Sequence, residues 1–308
     1  MNKTVLEIKN LNKSYGKWKI IDNISLELKE GEIFGFLGPN GSGKTTTIKM
    51  ILRLIEMDSG EIKVNGYDNK KQFEKAMECI GAIVENPDMY KYMSAKDNLK
   101  LHARIRNIKP ERIDEVIKLV GLKGRENDKV SKYSLGMKQR LGLALTLLHN
   151  PKILILDEPT NGLDPAGIKQ LRDILKEISH KKGVAVFVSS HILSEMQLMC
   201  DRVAVIDNGK IVKIQKVKQQ INEEELEKVE LRVIEKEKAN QILKEKYNIT
   251  PSKIDNEIEF TVKEKELAEI IKELAVNDVG IRAIIPKEHT LEEIFFDATN
   301  KGEDDENI

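Results

Sequence analysis

The sequence is short of most features that mark a secreted, membrane-spanning or nucleic-acid-binding protein. It has two cysteines in 308 residues, Cys79 and Cys200, with no CxxC pair and no Cys/His cluster. That excludes a disulfide framework and a spaced-ligand zinc site, and leaves two buried, reduced thiols in a cytosolic protein as the expectation. Net charge is missing too, because 51 basic residues face 51 acidic ones. A standing nucleic-acid binder carries a basic excess, so no nucleic-acid partner is expected. No apolar run approaches the ~20 residues of a membrane span. The longest candidates, LGLALTLL from Leu141 and ILIL from Ile153, are of core length. The opening MNKTVLEIKNLNKSYG lacks the apolar stretch of a signal peptide. No tandem repeat is visible. What remains, 40% hydrophobic and 33% charged, reads as a globular chain of one large or two modest domains.

Up to about residue 215, short apolar strands alternate with helical spacing, which predicts an α/β fold with parallel strands. VLEIKNL and ISLEL alternate like half-buried antiparallel strands. EIFGFLG is an apolar strand running into a Gly-rich turn. TTTIKMILRLI has helical spacing, with Ile48, Ile51, Leu52 and Ile55 on one face. Residues 93–148 read as mainly helical, the first helix beginning around Asn98, Leu99, Leu101 and Ala103. Strands return at 152–157, 183–190 and 202–212. The segment 216–228, KVKQQINEEELEK, is charged and apolar-poor, and reads as a solvated linker helix. Beyond it a β-α-β-α-β order predicts a small α+β appendage. Within it KIDNEIEFTV reads as a hairpin or strand turning at Asp255-Asn256. TLEEIFFDAT closes as a short helix capped by Thr290. The expected division is therefore 1–220, with a helical part about 90–150, then 221–300, then a disordered tail over 301–308.

GPNGSGKT, from Gly38 to Thr45, fits G-x-x-x-x-G-K-[ST] between a predicted strand and a predicted helix, the context that makes the match strong. Glycines let the backbone fold tightly and aim N–H groups at phosphate oxygens, and the helix N-terminus adds its positive end. The run Gly38, Pro39, Asn40, Gly41, Ser42, Gly43, Lys44, Thr45 and Thr46 is thus expected to hold a nucleotide. Lys44 would reach the β- and γ-phosphates, and the Thr45 hydroxyl would ligate Mg²⁺. ILILDEPT delivers Asp157 and Glu158 at the mouth of a buried strand. Asp157 is placed to hold Mg²⁺, and Glu158 to orient or deprotonate an attacking water.

Further motifs carry a resemblance. KYSLGMKQRLGLAL, from Lys132, resembles the signature segment of ATP-binding-cassette ATPases. NGLDP (161–165) resembles their D-loop and SSH (189–191) their switch-histidine loop. Tyr15 falls where that family places an aromatic stacked on adenine. The resemblance covers roughly residues 4–220. It implies a P-loop NTPase fold of the ABC type, α/β with an antiparallel β subdomain and a helical subdomain. It implies ATP and Mg²⁺ as cofactors, and two cassettes sandwiching two ATP molecules head to tail. Ser134 and Gly136 would then touch the γ-phosphate of the partner's nucleotide. His191 would sense the γ-phosphate, and Asp164 would communicate across the dimer. As bland alternatives, Tyr15 is a surface aromatic, with Trp18 its competitor for the base, and His191 is structural.

Two departures stand out. The family signature reads Leu-Ser-Gly-Gly-Gln, whereas this chain has Tyr133-Ser134-Leu135-Gly136-Met137. Met137 cannot supply the hydrogen bonds of a Gln side chain. In IGAIVENPDMY the strand ends in Glu85, where the family normally carries Gln. A carboxylate there is expected beside the γ-phosphate and Mg²⁺, as a catalytic and metal-binding group. One phosphate loop, and no coiled coil or zinc module between the two Walker halves, favours an energy-supplying subunit for a separate membrane permease. It would pair with a second copy or a related cassette on the cytoplasmic face of the membrane. Glu85, YSLGMKQRL and HTLEEIFF together look like the bacitracin-resistance and lantibiotic-immunity type of exporter cassette. The alternative is a nucleotide-dependent regulatory ATPase acting on a soluble partner. The appendage could sense a ligand, brace the dimer or simply pack.

Overall fold

The computed structural model describes residues 3–85, 88–217, 226–251 and 258–286. These divide into two compact units, one within residues 1–219 and one within 220–294.

The first unit opens with β1 (Thr4–Tyr15) and β2 (Trp18–Lys29), joined by a tight turn in which Gly16 has φ +59°. Next come β3 (Ile33–Leu37), α1 (Lys44–Ile51), β4 (Ser59–Val64), β5 (Tyr67–Asp68), α2 (Phe73–Glu78) and β6 (Ile80–Ile83). A helical stretch follows: α3 (Ala95–Ile105), α4 (Pro110–Leu119) and α5 (Leu135–Leu147). The chain returns through β7 (Ile153–Leu156), α6 (Pro165–Lys176), β8 (Ala185–Ser190), α7 (Leu193–Met199), β9 (Arg202–Asp207) and β10 (Lys210–Lys216).

Two sheets result. One is antiparallel with order β2-β1-β4-β5, and the other runs β10-β9-β3-β8-β7-β6. In the second sheet β9, β3, β8, β7 and β6 are parallel and β10 is antiparallel. The parallel strands are covered on both faces, which is why they read as continuous apolar runs; all five residues of β3 are buried. At their centre Phe187 stacks on Phe34 and meets Phe36 at a tilt, and a Cβ on Gly35 would come within 2.9 Å of the Cys200 and Met196 sulfurs. Gly35 therefore lets α7 pack directly on β3. Parallel pairing brings the C-terminal ends of β3, β6, β7 and β8 to one edge, where a doubly wound sheet presents its ligand site.

The second unit contains β11 (Leu226–Val233), α8 (Lys236–Tyr247), β12 (Ile258–Lys263), α9 (Glu264–Val276) and β13 (Ile281–Pro286). Its antiparallel sheet has order β12-β11-β13. Val229, Leu231, Phe260, Ala239, Leu243, Ile270 and Leu274 form a core of its own.

Several boundaries differ from the sequence reading. The helix after the phosphate loop ends at Ile51, because Arg53 adopts a left-handed φ of +53°; Ile55 lies beyond it. The first helix of the helical part starts earlier, at Ala95, where the Ser94 hydroxyl accepts the Asp97 N–H. The stretch 202–212 is a hairpin, not one strand. Asn208 and Gly209 both have positive φ, the signature of the tight Asn-Gly turn. At the ends of the expected linker helix, Lys216 closes β10 and Leu226 opens β11, both as strand; 218–225 lie outside the described residues. So do Asp255-Asn256, the helix capped by Thr290, and the tail. Cys200 is buried as expected, whereas Cys79 is only half-buried.

Candidate active site

The phosphate loop leaves β3 at Leu37 and is fixed at once, since the Gly38 N–H donates to the Ser190 carbonyl at 3.2 Å. A Cβ on Gly38 would lie 2.3 Å from the Ile206 carbonyl oxygen, so only glycine fits. Gly41 and Gly43 hold φ of +82° and +105°, which other residues rarely adopt. Gly43 caps α1 without offering a side chain. The first-turn N–H groups of α1 therefore face the loop free of side-chain capping, an anion cradle by construction. Ser42 Oγ, buried in the same loop, has no hydrogen-bond partner among the described residues.

Lys44 is buried, with its ammonium donating to the Gly38 and Pro39 carbonyls at 2.8 and 3.0 Å. It also lies 3.4 Å from Glu158 Oε1. The Thr45 hydroxyl donates to Asp157 Oδ2 at 2.9 Å. Ser189 Oγ donates to Asp157 Oδ1 at 2.6 Å and accepts the Glu158 N–H at 2.9 Å. His191 Nδ1 is 2.9 Å from Glu158 Oε2. Asn40, Lys44, Thr45, Glu158, Asn161 and His191 line a cleft of about 260 Å³. A larger cavity of about 350 Å³ between β6, α3 and α5, lined by His102, Arg106 and His149, contains none of these groups. The cleft combines a cation, free N–H groups, a carboxylate beside a hydroxyl, and a second carboxylate held by a histidine. That donor set fits a nucleoside triphosphate with Mg²⁺, a metal usually bound through one or two carboxylates and the substrate's phosphates. Among the described residues no cluster of three or more His, Cys, Asp or Glu could hold a metal by itself.

The other expected residues lie apart from this cleft. Glu85 stands at the mouth of β6 in a left-handed conformation (φ +64°), its side chain 71% exposed. Its partner is Lys49, at 3.4 Å on α1, rather than Asp157. Ser134 caps α5 by accepting the Met137 N–H, and Asp164 caps α6 by accepting that of Gly167. The two helix starts are neighbours, since a Cβ on Gly162 would lie 3.0 Å from Leu135 Cδ2. Met137 thus meets Ser134 through its backbone N–H, a bond any residue but proline can make there. Tyr15 pairs with Trp18 across the first turn, and both rings are exposed. The Lys13 ammonium sits 5.3 Å from the Tyr15 ring centroid and pairs with Asp58 at 3.0 Å. Strand β2 carries this turn toward the phosphate loop, because Ile21 lies against Gly43.

Sequence reasoning missed Ser189 and Asn161. Ser189 was legible only as part of SSH, with no sign that it reaches the two acids 32 and 31 positions upstream. Asn161 was legible only as the start of NGLDP.

Residues 21–161 match the family model for the ABC transporter. Over 98% of both chains the protein is 45% identical to an ABC transporter ATP-binding protein, YhcH of Bacillus subtilis (strain 168). It belongs to the ABC transporter ATP-binding proteins. It is also 46% identical to the bacitracin transport ATP-binding protein BcrA of Bacillus licheniformis, over 68% of this chain and 69% of that one. Among solved structures it resembles a dimeric ATP-binding cassette in a post-hydrolysis state bound to ADP and Pi. The TM-score is 0.61 at 25% identity, over 70% of this chain and all of the other. The chain is therefore an ATP-binding ATPase subunit of the ABC transporter family. Among the described residues no helix is long and apolar enough to cross a membrane itself.

Proposed function

We propose that the cassette hydrolyses Mg²⁺-ATP to drive export of an antimicrobial peptide, an antibiotic or another amphipathic compound. It would sit on the cytoplasmic face of the membrane against a separate permease. Residues 1–220 form the motor and 221–300 a separate small domain. The observation that carries the hydrolytic reading is the convergence of Lys44, Thr45, Glu158 and His191 on one cleft, with Asp157 bonded to Thr45. The export reading draws support from the likeness to BcrA.

Lys44 binds the β- and γ-phosphates once the triphosphate draws its ammonium from Gly38 and Pro39. The N–H groups from Gly41 to Thr46 wrap the same oxygens. Thr45 and Asp157 would hold Mg²⁺, which would supply positive charge against that developing on the phosphates. Glu158 accepts a proton from, or orients, the attacking water, and His191 holds that carboxylate and contacts the γ-phosphate. Tyr15 stacks on adenine. Ser134 and Gly136 meet the γ-phosphate of the partner cassette, and Asp164 relays the state of one site to the other. Glu85, outside the cleft and paired with Lys49, tunes the metal requirement.

The deciding experiment is Glu158→Gln. The variant should bind ATP, stall hydrolysis and accumulate as an ATP- and Mg²⁺-dependent dimer on size exclusion. A variant that hydrolyses ATP normally, or stays monomeric with ATP and Mg²⁺, contradicts this assignment. Export is tested by whether the cassette, expressed with its permease, raises resistance to bacitracin or a lantibiotic.

A further inference from the structure

Ser189 is fully buried at the end of β8. Strands β7 and β8 pair in parallel through Leu156 and Val188, so the next residues, Asp157 and Ser189, fall side by side. Glu158 has already left the ladder, with a left-handed φ of +47°. A non-glycine residue holds that conformation only when its surroundings fix it. Here the fixing bond is visible: the Glu158 N–H donates to Ser189 Oγ at 2.9 Å. From that backbone the carboxylate reaches Lys44 at 3.4 Å and His191 at 2.9 Å. The same Ser189 hydroxyl donates to Asp157 Oδ1 at 2.6 Å, leaving Oδ2 to Thr45.

We infer that Ser189 is a positioning residue for both acids. It fixes the Asp157 carboxylate so that one oxygen faces Thr45 and the metal, and it holds the Glu158 backbone so that its carboxylate points into the cleft. A hydroxyl can donate to a carboxylate and accept from an N–H through a single oxygen. The adjacent Ser190 serves different groups: its hydroxyl accepts the Ile192 N–H and its carbonyl the Gly38 N–H. The inference rests on the roles proposed above for Asp157 and Glu158, and adds a group one layer behind them, where removal typically weakens metal binding about 10-fold or more.

The test measures Mn²⁺ binding by electron paramagnetic resonance with a non-hydrolysable ATP analogue, so that no turnover is needed, beside steady-state ATPase kinetics on the full chain. Ser189→Ala is expected to weaken Mn²⁺ binding about 10-fold and lower kcat by a similar factor, with KM for ATP within about twofold. Ser189→Thr is expected to recover most of both losses. In an Asp157→Asn background, Ser189→Ala should weaken Mn²⁺ binding no further. Should the alanine variant fail to fold, Ser189→Cys, similar in size but a weak hydrogen-bonder, gives the same reading. Wild-type metal binding and kcat in the serine variants, while Asp157→Asn loses the metal, would overturn the inference alone. Unchanged Mn²⁺ binding in Asp157→Asn itself would overturn the Asp157 assignment and the inference with it.

Discussion

Thr45 Oγ1 donates a 2.9 Å hydrogen bond to Asp157 Oδ2, joining the phosphate loop to the acid of β7 across 112 positions of sequence. It brings the two predicted metal ligands together before any metal is considered. Thr45→Ala and Asp157→Asn should each lower ATPase kcat by about 100-fold or more, since each removes part of the electrostatic apparatus. Thr45→Ser, which keeps the hydroxyl, should stay within about tenfold of wild type. Steady-state phosphate release decides the matter, and full turnover in Asp157→Asn would exclude it from metal binding.

Lys44→Ala should abolish measurable turnover and weaken nucleotide binding. Its ammonium is buried among two carbonyls and one carboxylate, so the alanine variant leaves Glu158 without its nearest cation. Fluorescent-nucleotide titration separates loss of binding from loss of chemistry.

Gly43→Ala should be unfavourable twice over. The backbone sits at φ +105°, and the new Cβ would lie 2.5 Å from Ile21 Cδ1 and 3.1 Å from the Ile20 carbonyl. A cost of about 1–3 kcal/mol in stability is expected, with loss of nucleotide affinity. Chemical denaturation and nucleotide titration test the two halves separately. Gly136→Ala makes the contrast, because the nearest atom to its new Cβ is 3.8 Å away and the fold should hold.

Glu85→Gln should change stability by less than about 0.5 kcal/mol, since the Lys49 pair is largely exposed. Substantial ATPase activity should persist, with an altered Mg²⁺ dependence or altered coupling to transport. Superimposable Mg²⁺ titrations and unchanged transport would reduce Glu85 to a surface ion-pair partner.

His149 supplies a pH dependence. Burial, and secondarily the Arg106 charge, lower its pKa below the usual 6.5, and its Nε2 lies 2.9 Å from the Ile80 carbonyl. A carbonyl only accepts, so the neutral ring donates from Nε2. The unfolded chain takes up the proton first as pH falls, so stability is lost from about 6.5 downward until the lower folded pKa is passed. His149→Gln should flatten the melting-temperature profile below about pH 6.5. An unchanged slope would show that other groups set it.

Local patterns made much of this legible. The phosphate loop, the strand ending in Asp157-Glu158 and the order of strands and helices follow from near neighbours: glycine freedom, apolar period and caps such as Ser94. The failures have local causes of their own. The hairpin at Asn208-Gly209 was hidden because apolar residues continue on both sides of a turn whose chemistry was overlooked. The helix after Lys44 stops at Ile51 although its apolar spacing runs on to Ile55, because periodicity does not register a left-handed Arg53.

The sequence by itself determined which groups are available: a phosphate cradle of glycines with Lys44 and Thr45, two acids at a buried strand's end, and a histidine after another. Those are short-range choices, and each is fixed by a few adjacent residues. Only the tertiary structure decided how they are shared. Setting β3 between β8 and β9, and β7 beside β8, gave Asp157 one oxygen for Thr45 and one for Ser189, placed Glu158 between Lys44 and His191, and left Glu85 with Lys49. Strand order is set by burying apolar faces across the whole sheet, and no window of the sequence contains that sum.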